Sequence, residues 1–306
     1  ELYLPNLDFS YTTNIKDIFK GCYSLISINL SNFITSYIDD FSNIFYDCNL
    51  TIIDLSNFKG SEVKNRMDYM FNNCTSLEYI DLSNLDLTYT INISYMFNEC
   101  ISLKNITIIN LNESNIEDYS YMFNNCISLE YIDLSNFKGS KVKNTMEYMF
   151  NNCINLISID LSNFDTSLTT DFSFLFNNCS SIIELNLSYF IDSSVYNNME
   201  SMFNNCNNLK IIDLSNLDIS NTINSNRIFK GCNSIEILTL TNFKAINTYD
   251  FSYMFSNLIN LKSIDLSNFN GSSITNTMEG MFYNCNQLKE LYLPNLDFSY
   301  TTNIKD

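Results

Sequence analysis

Residues 1–17, ELYLPNLDFSYTTNIKD, recur letter for letter as residues 290–306, an offset of 289. Inside that long period runs a short one of 26 or 27 residues. Its marks are Cys22, Cys48, Cys74, Cys100, Cys126, Cys153, Cys179, Cys206, Cys232 and Cys285, with Leu258 in the one vacant place. The chain is thus a repeat of repeats: one 289-residue super-repeat of eleven coils, then 17 residues of the next. No single coil of this size can bury its own apolar face, so such a chain folds by stacking. Residues 1–306 are therefore expected to form a single continuous solenoid. Beginning and ending mid-unit, it reads as a piece of a longer array.

Residues 67–85, MDYMFNNCTSLEYIDLSNL, serve as the type unit. Met67, Met70, Phe71 and Cys74 fall at i, i+3, i+4 and i+7, which predicts a short helix with one apolar face. Asn72 and Asn73 suit its C-terminal end, since Asn tolerates left-handed backbone. Ile80 and Leu82 alternate about an outward Asp81, which predicts a strand. The Phe three before Cys is unbroken from Phe19 to Phe282. An Asn column follows the strand at Asn32, Asn57, Asn84, Asn110, Asn136, Asn163, Asn216, Asn242, Asn268 and Asn295, with Tyr189 in the remaining place. Buried Asn at a fixed corner is expected to bond neighbouring backbone.

The coils ending at Cys74, Cys153, Cys206 and Cys285 hold one extra residue between strand and helix. That return segment is where insertions cost little. Residues 49–51 carry a compensating one-residue deletion. The expected fold is an α/β repeat: a right-handed solenoid with one parallel strand and one short helix per coil, right-handed by the crossover rule.

Composition removes several functions. Net charge is −18, so the basic stripe that neutralises nucleic-acid phosphates is missing. Histidine is absent, which removes the usual general base and zinc ligand. No apolar run approaches the ~18 residues of a membrane span. No nucleophile–base pair, phosphate loop or dinucleotide fingerprint is present, so no enzyme and no cofactor are expected.

Four features remain as candidate sites. The cysteines contain no CxxC pair, and Leu258 fills one position, so they read as structural core thiols. An acidic column on the outer strand face includes Asp54, Asp81, Asp133 and Asp160. Adjacent like charges are destabilising alone, so the column either draws a divalent cation or is solvated and bonded to the Ser two residues on; the second is favoured. An aromatic row lies five before Cys: Tyr69, Tyr95, Tyr121, Tyr148 and Phe174. It is equally an interaction surface or half-buried packing. Of nine glycosylation sequons, Asn92, Asn112 and Asn270 lie in the return segment and are the favoured acceptors.

The motif MFNNCTSLEYIDLSNL, recurring as MFNNCISLEYIDLSNF and MFNNCINLISIDLSNF, resembles the BspA-type leucine-rich repeat. The variant is similar to that of bacterial, mycoplasma-like and protozoan surface proteins. The resemblance covers the whole chain. It implies a leucine-rich-repeat solenoid, cell-surface adhesion or host-matrix binding, and no catalytic residues. One departure is visible: the Asn column stands two residues after the strand Leu, where the most familiar leucine-rich repeats have three. Three functions follow as expectations. The first is a long extracellular or cell-surface filament of tandem units, whose partner is itself. The second is a surface adhesin binding a host or matrix protein. The third is an intracellular leucine-rich scaffold, which the free thiols would suit.

Overall fold

The computed structural model describes residues 9, 11–30, 35, 37–55, 64–83, 85, 87–108, 115–135, 142–162, 165–187, 197–214, 219–240, 245–266, 276–292 and 301–303. The chain divides into two compact units. The first comprises Glu1–Thr145 and Met149–Phe164; the second comprises Met146–Tyr148 and Asp165–Asp306. Each is a stack of coils with a repeat of about 26 residues, a β-solenoid.

The outer ladder follows the expected strand. In the first unit Tyr79–Asp81 pairs in parallel with Asn105–Thr107, and Tyr131–Asp133 with Ser158–Asp160. In the second, Glu184–Asn186 pairs with Ile211–Asp213, and Ser263–Asp265 lies between Ile237–Thr239 and Glu290–Tyr292. Ile80 points inward and is fully buried, while Tyr79 and Asp81 face out. That is the two-residue period of a half-buried strand.

The expected helix is absent: among the described residues there is no α-helix. Residues 67–77 form a chain of tight turns instead. The amides of Met70, Asn72, Cys74 and Leu77 each bond the carbonyl three residues back, at 3.1–3.3 Å. The amides of Met67, Tyr69, Phe71 and Asn73 bond out of the coil, to the carbonyls of Asn92, Ser94, Met96 and Asn98 at 2.8–2.9 Å. Tyr69 and Asn73 carry φ of 59° and 58°, left-handed values that stop a right-handed helix at two points four residues apart. Packed helices also need 8–10 Å between axes, whereas bonded strands lie about 4.8 Å apart. A turn chain that hydrogen-bonds its neighbour keeps strand spacing all round the coil.

A second strand per coil replaces the return segment. In the first unit Asn65–Arg66 pairs with Thr90–Asn92, and bridges run Asn14 to Asp40, Asp40 to Arg66, Asn92 to Asp118 and Asp118 to Thr145. In the second, Asn197–Asn198 lies between Thr169–Asp171 and Thr222–Asn224, with bridges from Asn224 to Asp250 and Asp250 to Thr277. One side chain per coil starts each turn chain here. Asp40, Asn92, Asp118, Asp171 and Asp250 accept the amide of the serine two residues on, at 2.7–2.9 Å. This is the Asx turn that favours Asp and Asn before a chain reversal.

The core is the set of columns read from the sequence. Met67, Met70, Phe71, Cys74, Leu77, Ile80 and Leu85 are all fully buried. Phenylalanine rings stack along the first unit from Phe19 to Phe150 at centroid distances of 5.4–5.6 Å. In the second unit they stack from Phe176 to Phe282 at 5.4–6.0 Å. The Asn column from Asn32 to Asn295, and the sequons Asn112 and Asn270, lie outside the described residues.

Candidate functional surfaces

The cysteines are all free. Their thiols line the core and donate to the phenylalanine carbonyl of the preceding coil: Cys74 to Phe45, Cys100 to Phe71, Cys126 to Phe97 and Cys153 to Phe123, at 3.1–3.2 Å. Burial pushes the Cys100 thiol up to about 12 and Cys48 and Cys285 to about 11; Cys74, Cys126 and Cys232 are raised well above the ordinary value for the same reason. A neutral, buried thiol is a poor nucleophile. Cys22 alone is exposed.

The acidic column sits on the outer ladder. Asp133 and Asp160 are direct register partners. Each carboxylate accepts the amide of the serine two residues on: Asp81 from Ser83, Asp133 from Ser135 and Asp160 from Ser162, at 2.8–2.9 Å. Among the described residues no three His, Cys, Asp or Glu side chains are arranged to hold a metal ion. Asp54 lies elsewhere, in a shallow cleft of about 280 Å³ lined also by Ser27, Asn29 and Ile52. The cleft opens beside the one-residue deletion at residues 49–51, where the period is broken.

The same outer face carries two other kinds of side chain. Lys104 bonds Glu78 at 2.8 Å, and Lys262 bonds Glu236 at 2.5 Å, each from one coil to the next. These pairs are exposed and add little stability. Between them stand exposed apolar groups, with Ile211 57% and Ile237 66% accessible.

The aromatic row occupies the left-handed corners. Tyr69, Tyr95, Tyr121, Tyr148 and Phe174 all have φ of 55–59° and are half-buried. In the first unit Tyr69 stacks on Tyr95 at 4.5 Å, and Tyr95 on Tyr121 at 4.4 Å. In the second, Tyr148 stacks on Phe174 at 4.4 Å. Burial, then the charges of Asp68 and Asp118, raise the Tyr69 phenol. Further along, Gly280 takes the tyrosine position. A Cβ there would stand 2.4 Å from the ring of Tyr253, whose hydroxyl donates to Glu279 at 2.8 Å.

Asn92, expected in a loop-like return segment, is instead the last residue of strand Thr90–Asn92. It is half-buried, and its Oδ1 accepts both the amide and the hydroxyl of Ser94.

The most regular polar feature is one that sequence reasoning assigned to a helix end. Asn98 donates to Asn72 at 2.7 Å, Asn124 to Asn98 at 2.6 Å and Asn151 to Asn124 at 2.6 Å. All four are buried. One amide per coil donates down and accepts from above, so each is satisfied only while the neighbouring coils are present. An outer amide ladder runs beside it, as in Asn152 to Asn125 at 2.8 Å. The signal was the unbroken Asn two before Cys from Asn72 to Asn204.

Comparison with known proteins places this architecture. The sequence matches the family described as "Mycoplasma protein of unknown function, DUF285" over residues 13–131, 91–208 and 197–306. No curated protein sequence matches it. Among solved structures, it is similar to a leucine-rich repeat protein from Bacteroides ovatus, with 18% identity, 99% of this chain and 74% of that one covered, and a TM-score of 0.39. It is similar also to the pneumococcal vaccine antigen PcpA, with 17% identity, 90% and 74% covered, and a TM-score of 0.45. A third is a leucine rich cell surface protein from Faecalibacterium prausnitzii, with 14% identity, 88% and 87% covered, and a TM-score of 0.30. The family match agrees with the mycoplasma-like resemblance of the motifs and does not extend it to BspA itself. With three overlapping matches spanning nearly its whole length, the chain belongs to the DUF285 family of Mycoplasma proteins, whose function is unknown.

Proposed function

We propose that the chain is a building unit of a long extracellular or cell-surface filament. In it, 289-residue units follow in tandem, and the coils stack as one continuous right-handed solenoid through residues 1–306. One observation carries this reading: residues 1–17 and 290–306 are identical, while the coils within a unit share only their core columns. Copies held that alike are what a polymer of equal units requires. The stacking devices support it. Ring, thiol and amide ladders each hand a contact from one coil to the next, and the amide ladder leaves an unmet group wherever a stack stops. A net charge of −18 discourages lateral clumping of such fibres. The partner in this reading is another copy of the same unit, with no cofactor and no catalytic role.

Electron microscopy of native material, marked with an antibody against residues 1–306, tests it. The expected result is fibres labelled at a regular axial repeat of at most about 50 Å, the path of eleven coils at about 4.8 Å each. Short separate rods with no repeat would contradict it.

The exposed Ile211 and Ile237 favour a second reading, a surface adhesin presenting its outer ladder to a host or matrix protein. That reading requires a saturable partner whose binding is lost on Ile237→Ser, on joint replacement of Asp133 and Asp160, or on replacement of Tyr95, Tyr121 and Tyr148. Binding unchanged by all of these would sink it.

A further inference from the structure

We propose that residues 290–306 form a docking edge for residues 38–44 of a second copy of this chain, so that units join head to tail through one shared 17-residue segment. The inference rests on the tandem-unit reading above and adds the register of the joint.

The repeated segment is seen from opposite sides at its two occurrences. As Thr301–Asn303 it pairs in parallel with Asn276–Thr277, with Thr277 opposite Asn303. At its other occurrence Asn14 bridges Asp40 in parallel. There the amides of Ile15 and Asp17 donate to the carbonyls of Asp40 and Ser42, both at 3.1 Å, and Phe19 follows onto Ile44 at 3.1 Å. Asn14 and Asn303 are the same position of the 17-residue segment. One occurrence therefore shows the partner on one edge, and the other shows the partner on the opposite edge. Overlaying them gives a strand bonded on both sides, Thr277 before it and Asp40 after it. Asp40 already has that environment, between Asn14 and Arg66.

An edge made of unpaired amides and carbonyls templates another chain. Here the chain that fits it is known from the sequence. Residues 38–44 already rest on this segment within one molecule, so they need no new contact to rest on it in another. The second copy must release its own residues 12–19 from Asp40–Ile44, and the incoming segment offers the same letters. That is the exchange of identical elements that makes swapped assemblies accessible. Because the two edges differ, the contact is head to tail and does not close on itself, which yields an open fibre.

The test mixes two chains in a Cys22→Ser background, one carrying Asn303→Cys and the other Asp40→Cys. Parallel neighbours lie about 4.8 Å apart, within the Cα separation a disulfide spans. A single chain carrying Asn14→Cys with Asp40→Cys is the geometric control and should close internally. The expected result is an inter-chain disulfide between the two introduced thiols, suppressed by excess synthetic peptide ELYLPNLDFSYTTNIKD. Closure of the control with no link in the mixture at any concentration overturns the joint, and native fibres would then leave the filament reading standing. Sedimentation velocity of the unsubstituted chain is the second readout. A sedimentation coefficient that rises with concentration and falls back on adding the peptide supports the joint. A monomer at every concentration overturns it.

Discussion

The hydroxyl of Thr90 donates a 2.7 Å hydrogen bond to the Oδ1 of Asn65, with both side chains fully buried. Thr222 and Asn197 repeat the pair at 2.8 Å. These bonds show how coils of unequal length stack. The four long coils, ending at Cys74, Cys153, Cys206 and Cys285, have Asn nine before the cysteine: Asn65, Asn144, Asn197 and Asn276. Thr90, Thr169 and Thr222 stand ten before theirs, in short coils. Asn65 pairs with Thr90 and Arg66 with Asn92, so Ile91 is the residue skipped by the register shift. A bulge of this kind absorbs one residue without disturbing the ladders on either side.

Replacing the buried amide of Asn98 breaks the ladder in both directions. Asn98→Ala leaves the Oδ1 of Asn72 and the Nδ2 of Asn124 without partners. Leaving a buried polar group unmet costs about 1–3 kcal/mol, so a loss of about 2–4 kcal/mol is expected. Urea unfolding measures it, with Asn152→Ala on the outer, wetter ladder expected to cost under about 1 kcal/mol.

Left-handed corners held by ill-suited residues can be improved. Glu99 has φ of 61° between Asn73 and Asn125 in its column. A left-handed residue with a Cβ costs about 1–2 kcal/mol, and Asn tolerates it best after Gly. Glu99→Asn should therefore raise stability by about 0.5–1 kcal/mol. Gly280→Ala should lower it by about 1–3 kcal/mol, since its Cβ meets the Tyr253 ring. Thermal melts of the two variants should move in opposite directions.

Thiol titration gives stability a definite pH dependence. Burial raises the Cys100 thiol from 9.0 to about 12, so the folded chain keeps a proton that the unfolded chain gives up. Where the folded state binds more protons, stability falls as pH rises. The contribution is complete below about pH 9 and is lost between about pH 9 and pH 12. Denaturation monitored across that window should show the fall. At pH 8 a thiol reagent should label Cys22 rapidly and Cys285 slowly, with Cys100, Cys126 and Cys153 reacting only on unfolding.

Far-UV circular dichroism checks the turn chain. A helix of two turns in every coil would make a substantial helical signal. The expected spectrum lacks the helical double minimum and has the single minimum of β-structure.

What could be read from the letters was the inward face; the backbone carrying it could not. Met67, Met70, Phe71 and Cys74 are all inside, as the spacing requires, but a chain of turns presents the same four positions as a helix. The distinguishing sign was present: Gly21, Asn73, Asn125 and Gly231 recur just before Cys, and Gly280 stands in the tyrosine column, inside the supposed helix. Both columns are left-handed. The second strand was hidden by its length of two or three residues and its polar Asn and Thr, too short for alternation to register. The acidic column was placed on the correct face, and its bonds to the serines two residues on are those weighed against a cation site. The amide ladder was missed because a contact between residues 26 apart has no local signature beyond the repeat itself.

The most direct test of the whole account is a high-resolution electron cryomicroscopy reconstruction of native fibres. The account predicts coils rising about 4.8 Å apart, turn chains in place of helices, and an unbroken ladder from Thr277 through the repeated segment to Asp40, recurring every 289 residues. Helices on the coil arches, or a break in the ladder at that segment, would contradict it.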